Sequence, residues 1–190
     1  MKLTKTKLPG VLLIEPKIFG DARGYFLETW NRDRYLAAGF PDVEFVQDNL
    51  SHSRRGILRG LHFQKQHPQG KLVQVIRGAV FDVVVGVRKD SPSFGQWYGV
   101  ELTGENHRQL WIPPGFAHGF SVLSDEVDFN YKCTDFYRPA DEGGIIWDDP
   151  SIGIEWPIAN PVLSDKDMHY PRLDELGAED LPQVTICGIC

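Results

Sequence analysis

The stretch Arg54 to Gln64, Arg-Arg-Gly-Ile-Leu-Arg-Gly-Leu-His-Phe-Gln, sets His62 beside Arg54, Arg55 and Arg59, and Lys71 follows nine residues after the histidine. Almost no carboxylate lies nearby in the sequence. Arginine presents a fixed fork of donors that suits phosphate. Histidine is the side chain whose unperturbed pKa lies nearest to neutrality. A site of this composition takes an anionic ligand and can move a proton. In a strand, alternation puts Leu61 and Phe63 on one face and His62 and Gln64 on the other. The cations would hold His62 neutral, hence basic, unless a carboxylate counters them. Arg59 stands an odd number of residues from His62, so an ideal strand would point the two apart. A bulge or bend at Gly60 would bring them together.

A second signal is Pro113-Pro114-Gly115-Phe116-Ala117-His118, a Pro-Gly turn with a histidine on the strand that follows it. Its P-x-G-x-x-H pattern resembles the second motif of the cupins, which are double-sheet jelly rolls. Metal-dependent cupins carry H-x-H in the first motif. Here the segment is His62-Phe-Gln-Lys-Gln-His67, and Lys65 and Lys71 crowd the place a cation would take. No glutamate stands at the expected spacing, so a metal site is not expected. Tyr131 lies in the alternating run Asp128-Phe-Asn-Tyr-Lys-Cys133, sharing a face with Phe129 and Cys133. In isolation it is a core tyrosine, since strands favour aromatic residues. Asp167, in Leu163-Ser-Asp-Lys-Asp167, is in isolation part of a solvated charged turn.

The elements that must position these residues are short strands. The chain has 190 residues, 42% of them hydrophobic, with 13 prolines and 19 glycines. That suits one domain of many strands joined by turns. Strands are expected over 12–19, 45–49, 71–87 with a turn at Arg77-Gly78, 97–102, 109–112, 120–123 and 127–137. The best helix candidate is 32–38, stopped by Gly39 and Pro41. Strands recurring every 8–15 residues without long helices between them indicate a sandwich or barrel. The expected class is all-β, a cupin-type double-sheet jelly roll with a few short helices. It would occupy residues 1–173, with 174–190 a polar C-terminal extension beginning in a short helix near 174–177.

The net charge of -6 argues against a nucleic-acid surface, which needs a basic stripe. No apolar run is long enough to span a membrane, and the N-terminus lacks the apolar core of a signal peptide, so a cytoplasmic protein is expected. Three cysteines, Cys133, Cys187 and Cys190, make no disulfide framework. The C-x-x-C pair at 187 and 190 reads as two reduced thiols on a tail, with a redox or metal role as the rarer alternative.

Several segments together resemble one family, the dTDP-4-dehydrorhamnose 3,5-epimerases, cofactor-free cupins that act on nucleotide sugars. These are Phe19 to Glu28, Phe45 to Asn49, Gly56 to Gln64, Gly70 to Val75, Trp111 to Phe120, Tyr131 to Tyr137 and Leu163 to Asp167. They run in the family's order over roughly residues 10 to 170. The resemblance implies a general base at His62 oriented by Asp167, and a general acid at Tyr131 on the opposite face of the sugar. It implies that Lys71 and His118 hydrogen-bond the ketone oxygen and the ring. Arg23, Glu28, Gln47, Asn49, Arg59, Glu142 and Lys166 would line the nucleotide-sugar site, and Tyr137 would stack on the thymine. It further implies no cofactor and a homodimer in which the segment carrying Arg23 and Glu28 reaches the partner's site. The acid–base residues match double epimerases and those acting at C3 alone or C5 alone, because specificity lives in the shape of the site. Readings from other classes are a metal-dependent cupin and a catalytically silent sugar-binding jelly roll. The missing ligand set counts against the first, and the presence of His62 and Tyr131 against the second.

Overall fold

The computed structural model describes residues 1–184, and the Cys187–Cys190 pair lies outside them. Side-chain alternation divides the apolar residues into three clusters, and two sheets separate those clusters. The first sheet has six strands: β1 (Lys2–Lys5), β2 (Leu12–Glu15), β10 (Gln109–Ile112), β7 (Lys71–Arg77), β12 (Glu126–Cys133) and β5 (Gln47–Arg54), in that order. The second has five: β13 (Glu142–Gly144), β6 (Leu58–Gln64), β11 (Phe116–Val122), β8 (Ala79–Gly86) and β9 (Trp97–Thr103). Neighbouring strands are antiparallel in both sheets. This is the expected all-β double-sheet jelly roll with a few short helices.

The central cluster draws Val73 and Val75 from β7, Phe129 from β12, Val80 and Val84 from β8 and Phe120 from β11, so it lies between the sheets. Phe120 and Phe129 stack across that gap with ring centroids 4.3 Å apart. Leu61, Phe63, Val83 and Val85 point to the outer face of the five-stranded sheet, where Ile145, Ile152, Leu173 and Leu181 cover them. Leu72, Trp111 and Ile14 are covered on the outer face of the six-stranded sheet by Tyr35 and Phe40, with Trp30 and Phe45 packed alongside. Each strand facing two apolar layers is buried on both sides. That is why 71–87 reads as a near-continuous β-branched run.

The helix α1 (Arg32–Ala37) forms where expected. Asn31 caps it by accepting a hydrogen bond from the Arg34 backbone N–H at 3.2 Å, and Gly39, at φ +95°, lets the chain leave it. Several boundaries differ from expectation. The strand expected over 12–19 breaks at Pro16, whose ring nitrogen cannot donate to a ladder. Its second half, β3 (Ile18–Asp21), pairs only with β4 (Gly24–Leu27) in a separate hairpin. Phe45 is not in β5, because it is drawn into the outer aromatic cluster, meeting Trp30 edge-on at 4.7 Å. β11 begins earlier, at Phe116, and β12 ends earlier, at Cys133. In place of a helix at 174–177 there are two 3-10 turns, Leu173–Glu175 and Ala178–Asp180, and Leu181 beyond them is buried. No helix among the described residues is long and apolar enough to cross a membrane.

Candidate active site

Strands β6 and β11 run antiparallel with His118 opposite His62, yet Phe120 stands opposite Arg59. Two steps on β11 therefore match three on β6, so β6 carries one extra residue at Gly60–Leu61. Gly60 has φ +127°, and a Cβ there would stand 2.5 Å from the Gly119 Cα. Only glycine fits. The bulge turns Arg59 to the same side as His62, and both line one cavity of about 350 Å³ between the sheets. The difficulty posed by strict alternation is thus removed by the residue whose freedom the sequence advertised.

His62 and Asp167 are 105 residues apart in the chain, and His62 Nε2 lies 2.5 Å from Asp167 Oδ1. Asp167 is 3% exposed, and its backbone N–H donates to Ser164 Oγ at 3.3 Å. Burial works to raise the Asp167 carboxyl pKa. The hydrogen bond and charge of His62, the Ser164 hydroxyl and the Lys166 ammonium outweigh it and hold the group below its ordinary value.

Tyr131 approaches from β12, so the two residues stand on facing sheets. Burial pushes the phenol upward, the neighbouring Cys133 and Glu142 add to that, and Arg59 opposes it. Tyr131 therefore carries its proton at neutral pH. Lys71, at the start of β7, lines the same cavity and has its pKa lowered by burial, against the pull of Cys133, Asp82 and Glu142. His118 is buried and its Nε2 lies 2.9 Å from Oδ2 of Asp82, which is wholly buried. Burial raises the Asp82 pKa although His118 and Lys71 work to lower it.

At the cavity mouth Glu142 accepts three hydrogen bonds. Tyr137 donates to Oε2 at 2.5 Å, Tyr170 to Oε1 at 2.7 Å, and the Lys166 ammonium also to Oε1. Burial works to raise the Glu142 pKa, but these bonds and the His62 charge hold it down at about 2. The hydrogen bond to that carboxylate, with burial added, pushes the Tyr137 phenol up to about 12. Gln47 accepts from the Tyr137 backbone N–H at 2.9 Å and donates to Asn49 Oδ1 at 3.0 Å, while Asn49 Nδ2 reaches Cys133 Sγ at 3.6 Å. Arg59 Nε donates to Ser53 Oγ at 3.0 Å.

The structure thus gathers His62, Tyr131, Asp167, Lys71, Gln47, Asn49, Arg59, His118, Tyr137, Glu142 and Lys166 around one cavity. Arg23 and Glu28 are not among its lining residues. Arg23 sits at the tip of the β3–β4 hairpin with its side chain 90% exposed, paired to Asp21 at 2.5 Å. Glu28 follows β4, paired with Arg34 and accepting from Asn31 at 3.0 Å. Arg54 and Arg55, part of the basic cluster in the sequence, also turn away, and Arg55 pairs with Asp125 at 3.0 Å. The cations on the cavity wall are Arg59, Lys71 and Lys166, facing Glu142 and Asp167. Among the described residues no three His, Cys, Asp or Glu side chains group as a metal ligand set.

Sequence reading missed Asp82, Ser53, Ser164 and Tyr170. A signal existed for Asp82, a carboxylate inside the run Ala-Val-Phe-Asp-Val-Val-Val and in phase with the core residues Val80 and Val84. A charge at such a position needs a buried partner. For Tyr170, in a charged turn after Asp167, there was none.

Comparison with known proteins identifies the family. The model of the dTDP-4-dehydrorhamnose 3,5-epimerase family matches residues 5–175. A relative from Shigella flexneri described as dTDP-4-dehydrorhamnose 3,5-epimerase is 57% identical over 170 residues, covering 89% of this chain and 94% of the relative. The Legionella pneumophila dTDP-6-deoxy-D-glucose-3,5-epimerase, crystallised with dTDP-4-keto-L-rhamnose, superposes with a TM-score of 0.93 at 51% identity, over 97% of this chain and 98% of that one. A dTDP-4-dehydrorhamnose 3-epimerase from Streptomyces niveus is more distant, 40% identical over 98% of this chain and 91% of its own length. On the family match, the close relatives and the shared fold, this chain belongs to the dTDP-4-dehydrorhamnose 3,5-epimerases.

Proposed function

We propose that this chain inverts C3 and C5 of dTDP-4-dehydro-6-deoxy-D-glucose, giving dTDP-4-dehydro-L-rhamnose. The observation that carries the reading is a carboxylate-bound histidine on one sheet and a protonated tyrosine on the facing sheet of the same cavity. Both carbons flank the C4 ketone, so their protons are acidic through enolate formation, and a base, an acid and a cation suffice. The Asp167 bond occupies Nε2 of His62 and leaves Nδ1 as the base. His62 takes the proton, the C–H electron pair moves into the enolate, and O4 carries the negative charge. Tyr131 then protonates the carbon from the other side. Exchange with solvent returns a proton to Tyr131 and removes one from His62 before the second carbon is inverted.

Lys71 lies where it can meet the developing oxyanion, and its desolvation strengthens that attraction. His118, braced by Asp82, hydrogen-bonds the ketone or ring. Arg59 and Lys166 supply the positive charge for the diphosphate. Tyr137, its phenol tied to Glu142, offers its ring to the thymine, and Gln47 and Asn49 flank it. The dTDP-4-keto-L-rhamnose bound in the Legionella relative is the product of this reaction and supports a nucleotide 4-ketosugar, and the higher identity to 3,5-epimerases than to the 3-epimerase supports action at both carbons.

Arg23 and Glu28 complete the site in a homodimer, each hairpin serving the cavity of a second copy. Their position outside this chain's own cavity supports that, as do the exposed hairpin residues Phe19, Tyr25 and Phe26 and the 68% exposed Leu50 on the edge strand β5. Exposed apolar side chains on a hairpin and on an edge strand call for a partner. A nucleotide-sugar substrate fits a cytoplasmic enzyme.

The test is proton NMR in D₂O with the nucleotide 4-keto-6-deoxyglucose, with and without a chelator. Loss of both the C3 and C5 proton signals, unchanged by chelator, is expected. Exchange at one carbon alone would make the chain a single-site epimerase, and exchange at neither would overturn the reading.

A further inference from the structure

Tyr170 is outside the cavity wall, yet it touches two residues that line it. Its ring meets the imidazole of His62 edge-on, with centroids 5.6 Å apart and planes at 63°. Its hydroxyl donates to Glu142 Oε1 at 2.7 Å. The room for that ring comes from Gly144, which stands opposite His62 in the β13–β6 ladder. A Cβ on Gly144 would lie 2.6–2.7 Å from three Tyr170 ring carbons. The loop 164–170 therefore holds the site at three points: Lys166 on Glu142, Asp167 on His62, and Tyr170 on both.

We propose that Tyr170 is a positioning residue for the epimerisation, its ring fixing the orientation of His62 and its hydroxyl the Glu142–Tyr137 pair that receives the nucleotide; this rests on the acid–base reading above. Two contacts on the imidazole are needed because one hydrogen bond leaves the ring free to swing about the Nε2–Asp167 axis. An aromatic edge against its flank removes that freedom. On the other side of the residue, Tyr137 and Tyr170 occupy different oxygens of one carboxylate. Burial and the Glu142 bond raise the Tyr170 pKa, so its hydroxyl is a donor at neutral pH. The two halves of the side chain thus act on different steps, the hydroxyl on binding and the ring on proton abstraction.

Two variants separate these halves. Tyr170→Phe keeps the ring and loses one of three hydrogen bonds on Glu142, so KM and the Kd for dTDP rise about 5-fold while kcat falls less than about 2-fold. Tyr170→Leu loses both, and kcat falls about 10-fold further because the base is no longer held in line. Proton NMR of the resting enzyme, with the His62 signals assigned by comparison with His62→Asn, supplies a readout independent of turnover. The NOEs of the His62 ring protons to their neighbours are expected to be kept in Tyr170→Phe and to change in Tyr170→Leu, where loss of the Tyr170 ring current shifts the resonances whatever the orientation of the imidazole. Unchanged His62 ring NOEs in Tyr170→Leu would overturn the proposal. So would equal losses of kcat at unchanged KM in both variants, in proportion to the folded fraction. A wild-type chain that takes up no deuterium, with the His62 ring NOEs changing in Tyr170→Leu alone, would overturn the acid–base reading and leave the ordering of His62 standing.

Discussion

A histidine becomes a base here through what touches it. His62 lies on a strand beside an arginine, and the buried Asp167, 2.5 Å from its Nε2, holds the ring and leaves Nδ1 to take a proton. His62→Ala is therefore expected to abolish deuterium uptake at C3 and C5. Tyr131→Phe keeps the base and loses the acid, so exchange should persist while inversion, followed by the sugar coupling constants, fails. Exchange at the normal rate in His62→Ala would sink the role assigned to it. Glu142 makes a second prediction. Its folded pKa of about 2 lies below the ordinary 4.5. A depressed carboxylate adds stability above its unfolded pKa and loses it as pH falls through the folded one, here from about pH 5 down to about pH 2. The melting temperature of Glu142→Gln should therefore be lower than wild type at neutral pH, and the difference should shrink through that window. Parallel curves would mean that the three hydrogen bonds on Glu142 do not favour its charged form.

At the scale of elements the extra residue in β6 decides whether the site exists. Without it, Arg59 and His62 would face opposite sides and the cavity would lose one of its three cations. Gly60→Ala must displace the Gly119 backbone and adopt an unfavourable φ. A destabilisation of about 2–3 kcal/mol by urea unfolding is expected, with activity lost even where the variant is fully folded. A fully active Gly60→Ala enzyme would show that the bulge does not control the site. Much of the strand plan was legible, since β-branched runs broken at Arg77-Gly78 mark β7 and β8 directly. The early end at Pro16 was also written in the chain, because a proline cannot donate to a ladder. Phe45 was not, because whether an aromatic residue extends a strand or fills an outer pocket depends on Trp30 and Trp111, which the fold brings from elsewhere.

At the scale of the whole molecule, the cavity of one chain lacks Arg23 and Glu28. If the working unit is a homodimer with exchanged hairpins, Arg23→Ala and His62→Ala are each inactive yet complement one another. A heterodimer has one site with both residues intact, so an equal, re-equilibrated mixture should recover about a quarter of wild-type activity. A mixture as inactive as its parts would show that each chain completes its own site.

The sequence by itself determined the all-β class, the turn at Gly78, the capped helix at 32–37 and the pairing of chemistry types around His62, because alternation, capping and turn preferences act over a few residues. It also carried the family resemblance, spread along the chain. The tertiary structure alone decided which charges meet. It set Asp167 on His62, Asp82 on His118 and Tyr170 behind both His62 and Glu142, and it left Arg54, Arg55, Arg23 and Glu28 outside the cavity. These contacts span 28 to 108 residues, from Glu142–Tyr170 to His62–Tyr170. The close packing of two sheets creates them, and no local pattern encodes a distance of that kind.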